Sequence, residues 1–301
     1  MTQRCPHTPD DDYTLRRPGT YADGFSDGLE PLQSLDLDGC DTVDELLRRM
    51  SHTAFGGRAL GEAAEVYEAM VRDPDCTVVV TLSGAMTVAK MGLLLCRMID
   101  RGMADIVVST GALMAHGFVE SLGLTHFKYD PRMDDTQLYK KGYNRVYDSL
   151  ELEQNLDDTT AFVEAALADW DPDRALTSHA LHRELGRVLV DRDLGPGILA
   201  SAYRADVPIY VPAFTDSELG LDLLYVNEER RRAGAPQLRF EPFGDLTDLC
   251  ERFVEAKTLG IFTIGGGVPR NWAQQIAPLL DGLITRFGWD AEMKRIRYGV
   301  R

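Results

Sequence analysis

From residue 76 onward the chain alternates short β-branched runs with segments of helical period, and this alternation limits its fold more than any other feature. The runs are CTVVVTL (76–82), DIVVST (105–110), VPIYVPAF (207–214), GIFTIG (260–265) and RYGVR (297–301). Between them lie MTVAKMGLLLCRMIDRG (86–102), AFVEAALADW (161–170), GILASAYRA (197–205) and LTDLCERFVEAKT (246–258), in which apolar residues recur three and four apart. Strands that are apolar throughout are buried on both faces, and strands separated by helices pair in parallel. The expected fold is therefore α/β: a doubly wound parallel sheet with helices on both sides.

Ahead of this alternation, DTVDELLRRM (41–50) and RALGEAAEVYEAMVRD (58–73) read as helices, with Asp41 or Thr42 as the N-cap of the first. Residues 1–31 are rich in Asp, Pro, Gly and Thr and carry no period, which reads as an extended arm. The expected division is an arm over 1–40 and one domain over 41–301, since 301 residues that are 44% apolar can bury one large core. The five cysteines form no CxxC and no Cys/His cluster, so neither a disulfide framework nor a structural zinc site is indicated. With no apolar leader and no apolar run approaching ~18 residues, the chain is expected in the reducing cytoplasm. Its formal charge of −16 opposes nucleic acid or an anionic membrane as partner. A cationic small substrate would be drawn in, although an acidic balance also serves solubility alone.

In an open α/β sheet, ligands bind beyond the carboxyl ends of the strands. Four of those ends here carry small and hydroxylated residues: Ser83-Gly84-Ala85-Met86-Thr87, Ser109-Thr110-Gly111-Ala112, Thr215 through Gly220, and Gly265-Gly266-Gly267. Glycine admits a ligand against backbone, hydroxyls and helix N-termini hold phosphate, and Asp216 suits ribose hydroxyls. Each feature alone has a structural reading: glycine for a turn, Ser or Thr as N-cap, Asp216 as the cap of a helix beginning near Glu218. Four together point to a nucleotide. No GxGxxG or GxxxxGK[ST] stands where those motifs are needed, which disfavours an ordinary dehydrogenase or a P-loop enzyme. His179 and His182 lie three apart on a predicted helix without a third ligand, so no metal is expected. No GxSxG marks a nucleophile.

The series TLSGAMTVAKMG, VSTGALMAHG, KKGYNRVYD, VPIYVPAFTDSELGLD and GIFTIGGGVPRNW resembles the deoxyhypusine synthase family, in particular its bacterial deoxyhypusine synthase-like branch, from about Phe55 to Arg301. The resemblance implies a Rossmann-like NAD fold assembled as a homotetramer. It also implies a reaction in which spermidine is oxidised by tightly held NAD, diaminopropane leaves, and the butyl group passes through an enzyme lysine to an acceptor amine. For the bacterial branch it implies a small-amine acceptor such as putrescine, as in homospermidine synthesis. Carried over by position, Ser83, Gly84, Ala85, Met86, Thr87, Ser109, Thr110, Gly111, Asp216 and Gly267 would contact NAD.

The substrate side departs from the family's pattern. Where the eukaryotic members have two glutamates, this chain has Met114 and Ala115, followed by His116. Where they have Asp after Ser-Leu-Gly, it has Leu221 with Asp222 one place on, and where they have His after the triple glycine it has Trp272. A polyamine needs carboxylates or aromatic faces around its ammonium groups, and His116, Glu218, Asp222 and Trp272 are the residues expected to form its site. The family's covalent lysine sits in a Trp-Gly-Lys motif beyond the strand that RYGVR resembles, and residues 1–301 contain no such motif. The expectation is a chain inactive by itself: either a shortened form of a transferase or a non-catalytic NAD-binding or regulatory subunit. A third reading, an NAD-consuming deacylase, would need a histidine at the nicotinamide ribose, for which His116 is the candidate.

Overall fold

The computed structural model describes Gly19 and residues 21–301. Helix α1 (Val43–Ser51) opens behind Thr42, whose hydroxyl accepts from the Glu45 N–H while the Glu45 carboxylate accepts from the Thr42 N–H. This reciprocal cap makes Thr42 the N-cap of the two candidates. Helix α2 (Phe55–Arg72) follows. Residues 21–41 contain no helix or strand and are mostly exposed, and residues 1–18 and 20 of the expected arm lie outside the described residues. The chain divides into two compact units inside α2, one ending at Ala64 and the other spanning Glu65–Arg301.

The larger unit starts with β1 (Cys76–Leu82), α3 (Gly92–Asp100), β2 (Ile106–Val108) and α4 (Gly111–Ser121). An excursion follows through β3 (Phe127–Lys128), α5 (Asp135–Lys140), β4 (Tyr143–Val146) and β5 (Ser149–Leu152). Then come α6 (Glu153–Leu167), α7 (Ser178–Asp191), α8 (Ile198–Ala205), β6 (Ile209–Tyr210), α9 (Glu218–Arg232) and α10 (Pro242–Glu255). The chain closes with β7 (Thr258–Ile264), α11 (Val268–Gln274), α12 (Ile276–Phe287) and β8 (Ile296–Val300).

Five strands form one parallel sheet in the order β6-β2-β1-β7-β8. This is the expected doubly wound α/β sheet. The chain winds outward from β1 through β2 to β6, returns to the far side of β1 as β7, and continues to β8. The winding therefore reverses between β1 and β7, which makes the gap above those two strands the topological switch point where ligands of such sheets bind. β1 and β7 pair along their full length, from Cys76 beside Thr258 to Leu82 beside Ile264. Near the upper end of this seam the buried Thr81 hydroxyl donates to the Thr263 hydroxyl at 2.9 Å.

Alternation along the strands sets the two layers. Val79, Ile106, Val108, Tyr210, Leu259 and Ile261 pack with Leu249, Cys250 and Phe253 of α10 and with Ala273, Ile276 and Leu280 of α11 and α12. Val78 and Val80 point to the opposite face and are equally buried, so both faces are covered. Each such side chain contributes about 1.5–3 kcal/mol of transfer free energy. The second sheet, β3-β5-β4, is small and antiparallel and was not among the sequence expectations.

Two expected elements are shorter than their patterns. The helix expected over 86–102 starts only at Gly92, because Thr87 donates its hydroxyl to the Leu113 carbonyl and Lys90 takes a left-handed conformation, φ 65°. The strand expected over 207–214 is confined to β6, since the Val211 N–H is donated to the buried Ser178 hydroxyl at 2.9 Å instead of to a ladder.

Candidate functional site

The switch point opens into a cavity of about 470 Å³ lined by Ser83, Ser109, Thr110, Gly111, Ala213, Asp216, Gly266, Gly267, Val268 and Pro269. That volume falls within the range of about 300–1,000 Å³ usual for cofactor and small-molecule sites. Each wall has a local cause. Gly265 holds φ 91°, and a Cβ there would lie 2.0 Å from the Ser83 hydroxyl, so only glycine allows the β1 and β7 ends to approach. The Ser83 hydroxyl then accepts from the Gly266 N–H at 3.0 Å, fixing the glycine turn. Thr110 donates to the Gly84 carbonyl at 3.1 Å and caps the N-terminus of α4. Ser217 caps α9, so Asp216 is spared the capping role and stands exposed at the cavity wall. These features suit a dinucleotide: hydroxyls and a helix N-terminus for phosphate, bare backbone for close approach, and a carboxylate for ribose.

The ten residues expected at NAD divide between this wall and its support. Ser83, Ser109, Thr110, Gly111, Asp216 and Gly267 line the cavity. Gly84 accepts from Thr110 at its edge, and Ala85 and Met86 follow in the same partly buried turn. Thr87 is wholly buried, and its hydroxyl is committed to Leu113, so it braces α4.

A second cluster gathers three of the four residues expected at the amine. His116 lies on α4 five residues beyond Gly111, about 7.5 Å along the helix axis. Its Nε2 is 4.0 Å from Glu218 Oε1 at the start of α9, and its Nδ1 contacts the Glu151 carboxylate of β5. The other Glu151 oxygen lies 3.5 Å from Nε2 of buried His126. Asp222, one turn along α9 from Glu218, is buried and accepts from the Thr160 hydroxyl of α6 at 2.6 Å. Burial pushes the Asp222 carboxyl up to about 6; the Thr160 bond opposes this, and Glu218 and Glu164 add to it. Burial also opposes charge on Glu151, yet the two imidazoles outweigh it and hold its pKa at about 2. For His116 burial disfavours the imidazolium, but Glu151 and then Glu218 prevail and its pKa is raised.

Trp272 does not join this cluster. Its partly buried ring packs against Tyr210 at 5.6 Å and against the core under α10 and α12. α11 lies on the sheet and turns the indole inward. The histidines of α7 are structural: burial lowers the pKa of both, that of His182 to about 4, and each sits against an aromatic ring, Tyr210 for His179 and Phe214 for His182. Glu151 and His126 were not foreseen. The only trace of Glu151 is a carboxylate inside the strand-like SLEL, and His126 stands in a loop without period.

The sequence model of the deoxyhypusine synthase family matches residues 45–300. A Methanosarcina thermophila protein named "Probable deoxyhypusine synthase" is 35% identical over 234 residues, covering 78% of this chain and 71% of the relative. The chain belongs to the deoxyhypusine synthase family. A deoxyhypusine synthase-like protein of Chlorobaculum tepidum is 30% identical over 252 residues, covering 82% and 70% of the two chains. The crystal structure of an Entamoeba histolytica protein assigned as a deoxyhypusine synthase shares the fold at a TM-score of 0.57 and 16% identity, over 79% of this chain and 80% of that one. Family membership implies a transferase. No helix among the described residues is long and apolar enough to cross a membrane.

Proposed function

We propose that this chain supplies the cofactor and amine sites of an NAD-dependent aminobutyl transferase of polyamine metabolism, with a small amine as acceptor in the manner of a homospermidine synthase. One observation carries the reading: six of the ten residues that the sequence assigns to NAD line a single cavity at the switch point. The cofactor's contribution, when bound, is to hold a hydride between oxidation of the donor amine and reduction of the product. Thr110, Ser83 and the first turn of α4 would orient its phosphates, and Asp216 its ribose. Glu218 and Asp222 would anchor ammonium groups of spermidine, with His116 beside them. This reading includes a cytoplasmic homotetramer, whose subunit number sedimentation would measure.

This reading also requires the lysine of the family's Trp-Gly-Lys motif, which is not among residues 1–301. A second reading, a non-catalytic NAD-binding subunit, rests on the same cavity. The deacylase reading gains no support, because His116 is not among the residues lining the strand-end cavity. Calorimetric titration with NAD, followed by spermidine, tests the first two. Wild type is expected to bind NAD, and Asp216→Ala to bind it at least about tenfold more weakly, the loss of one charge-assisted bond pair. Spermidine is then expected to generate reduced nicotinamide absorbance. NAD binding without spermidine-dependent reduction favours the subunit, and absence of NAD binding sinks both readings.

A further inference from the structure

Glu151, His126 and Lys90 take no part in the function proposed above, yet they form a continuous array behind His116, buried at Glu151 and His126 and reaching the surface at Lys90. Lys90 Nζ lies 3.1 Å from His126 Nδ1 and donates to Glu120 at 2.6 Å. A lysine ammonium can only donate, so His126 Nδ1 accepts and its proton resides on Nε2, facing Glu151. The Glu151 carboxylate, 1% exposed, thus stands between two imidazoles. Lys90 reaches this position from a backbone with φ 65°, a conformation that a non-glycine residue adopts only when its surroundings hold it there.

The three groups His116, His126 and Glu151 also have the spacing of metal ligands. The tautomer argues against that use: an Nε2 that carries the proton has no lone pair for a cation, and a ligating histidine normally donates from its other nitrogen, where His126 instead faces an ammonium. The array has the logic of a carboxylate that orients a histidine base.

We propose that Glu151, braced by His126 and Lys90, fixes His116 with its proton on Nδ1 and Nε2 free toward Glu218, making Nε2 the atom that takes a proton from a substrate ammonium. This inference rests on the amine site proposed above. In the step, an N–H bond of the ammonium breaks and an N–H bond forms at Nε2; the charge passes from amine to imidazolium, and nothing is oxidised or reduced. Glu151 is a positioning residue here. The groups facing His116 are Glu151 from β5, His126 ahead of β3 and Glu218 from α9, and Glu218 with Glu164 of α6 in turn acts on Asp222. A base raised by a carboxylate partner is better matched to an alkylammonium than a free imidazole is, which aids the transfer.

Imidazole nitrogen resonances of the ¹⁵N-histidine-labelled full chain test this without any cofactor. In wild type, His116 is expected to carry a proton on Nδ1 and to titrate well above His182, and added spermidine is expected to perturb its Nε2. Glu151→Gln should move the His116 midpoint about one pH unit or more lower, the effect of losing an adjacent opposite charge. Lys90→Met, at a half-exposed position, should release His126 from its Nε2–H tautomer without unfolding the chain. An unchanged His116 midpoint in Glu151→Gln overturns the proposal, as does a His126 tautomer indifferent to Lys90→Met. Equimolar zinc captured by His116 and His126 would overturn it in favour of a metal centre. Spermidine that binds without reaching His116 overturns the base and leaves the transferase standing, whereas a wild-type chain that binds no spermidine overturns the transferase and the base with it.

Discussion

Asp222 shows what a single residue at the amine cluster costs the fold. Its carboxyl titrates at about 6 in the folded chain, against an ordinary 3.8. Below the lower value both folded and unfolded chains hold the proton, and no penalty exists. As pH rises from there toward 6, the unfolded chain releases its proton while the folded one retains it, so stability declines and stays lower above pH 6. The loss amounts to about 2–3 kcal/mol. Asp222→Asn should therefore flatten this part of the pH dependence, read from urea unfolding at acid and neutral pH, and an identical slope in the variant would refute the assignment. Single residues at strand ends were legible in the sequence because chain order alone delivers Ser83, Thr110, Asp216 and Gly267 to one edge of a sheet. Glu151 and His126 were not legible: they reach His116 through an antiparallel excursion whose strands are two to four residues long, too short to show a period.

Among the elements, α4 connects cavity to cluster, and its first turn matters to both. Thr110 caps the helix and donates to Gly84, so Thr110→Val removes the cap and unties the β1 loop at nearly constant volume. The expected loss is about 1 kcal/mol of stability, read as a lower urea midpoint at unchanged m-value. Weaker NAD binding should accompany it, and a stable variant with unimpaired binding would deny the cap any part in the site. β1 and β7 were recognisable because a buried strand is continuous in Val, Ile and Phe. β6 and α3 were misjudged in length because side chains elsewhere decide them: Ser178 takes the Val211 N–H, and Leu113 takes the Thr87 hydroxyl. Tertiary bonds of this kind leave no mark on local pattern.

On the scale of the whole molecule, the charge of −16 would act oppositely on the two ligands of the proposed reading. A polyamine is attracted by that field and NAD is repelled, and salt that shortens the screening length from about 10 Å at 0.1 M toward about 3 Å at 1 M weakens both effects. Spermidine affinity should fall several-fold across that range while NAD affinity holds or improves; a parallel decline would mean that the acidic balance serves solubility only. The switch point carries a different consequence, for the nascent chain. β1 finds β2 almost at once, but its other edge waits for β7, whose Thr263 follows Thr81 by 182 residues. At ribosomal rates of about 5–20 residues per second, that edge stays bare for roughly 10–35 s. During that interval an apolar parallel strand is open to the wrong partner, so this protein's yield in the cell should depend on chaperones until the seam closes.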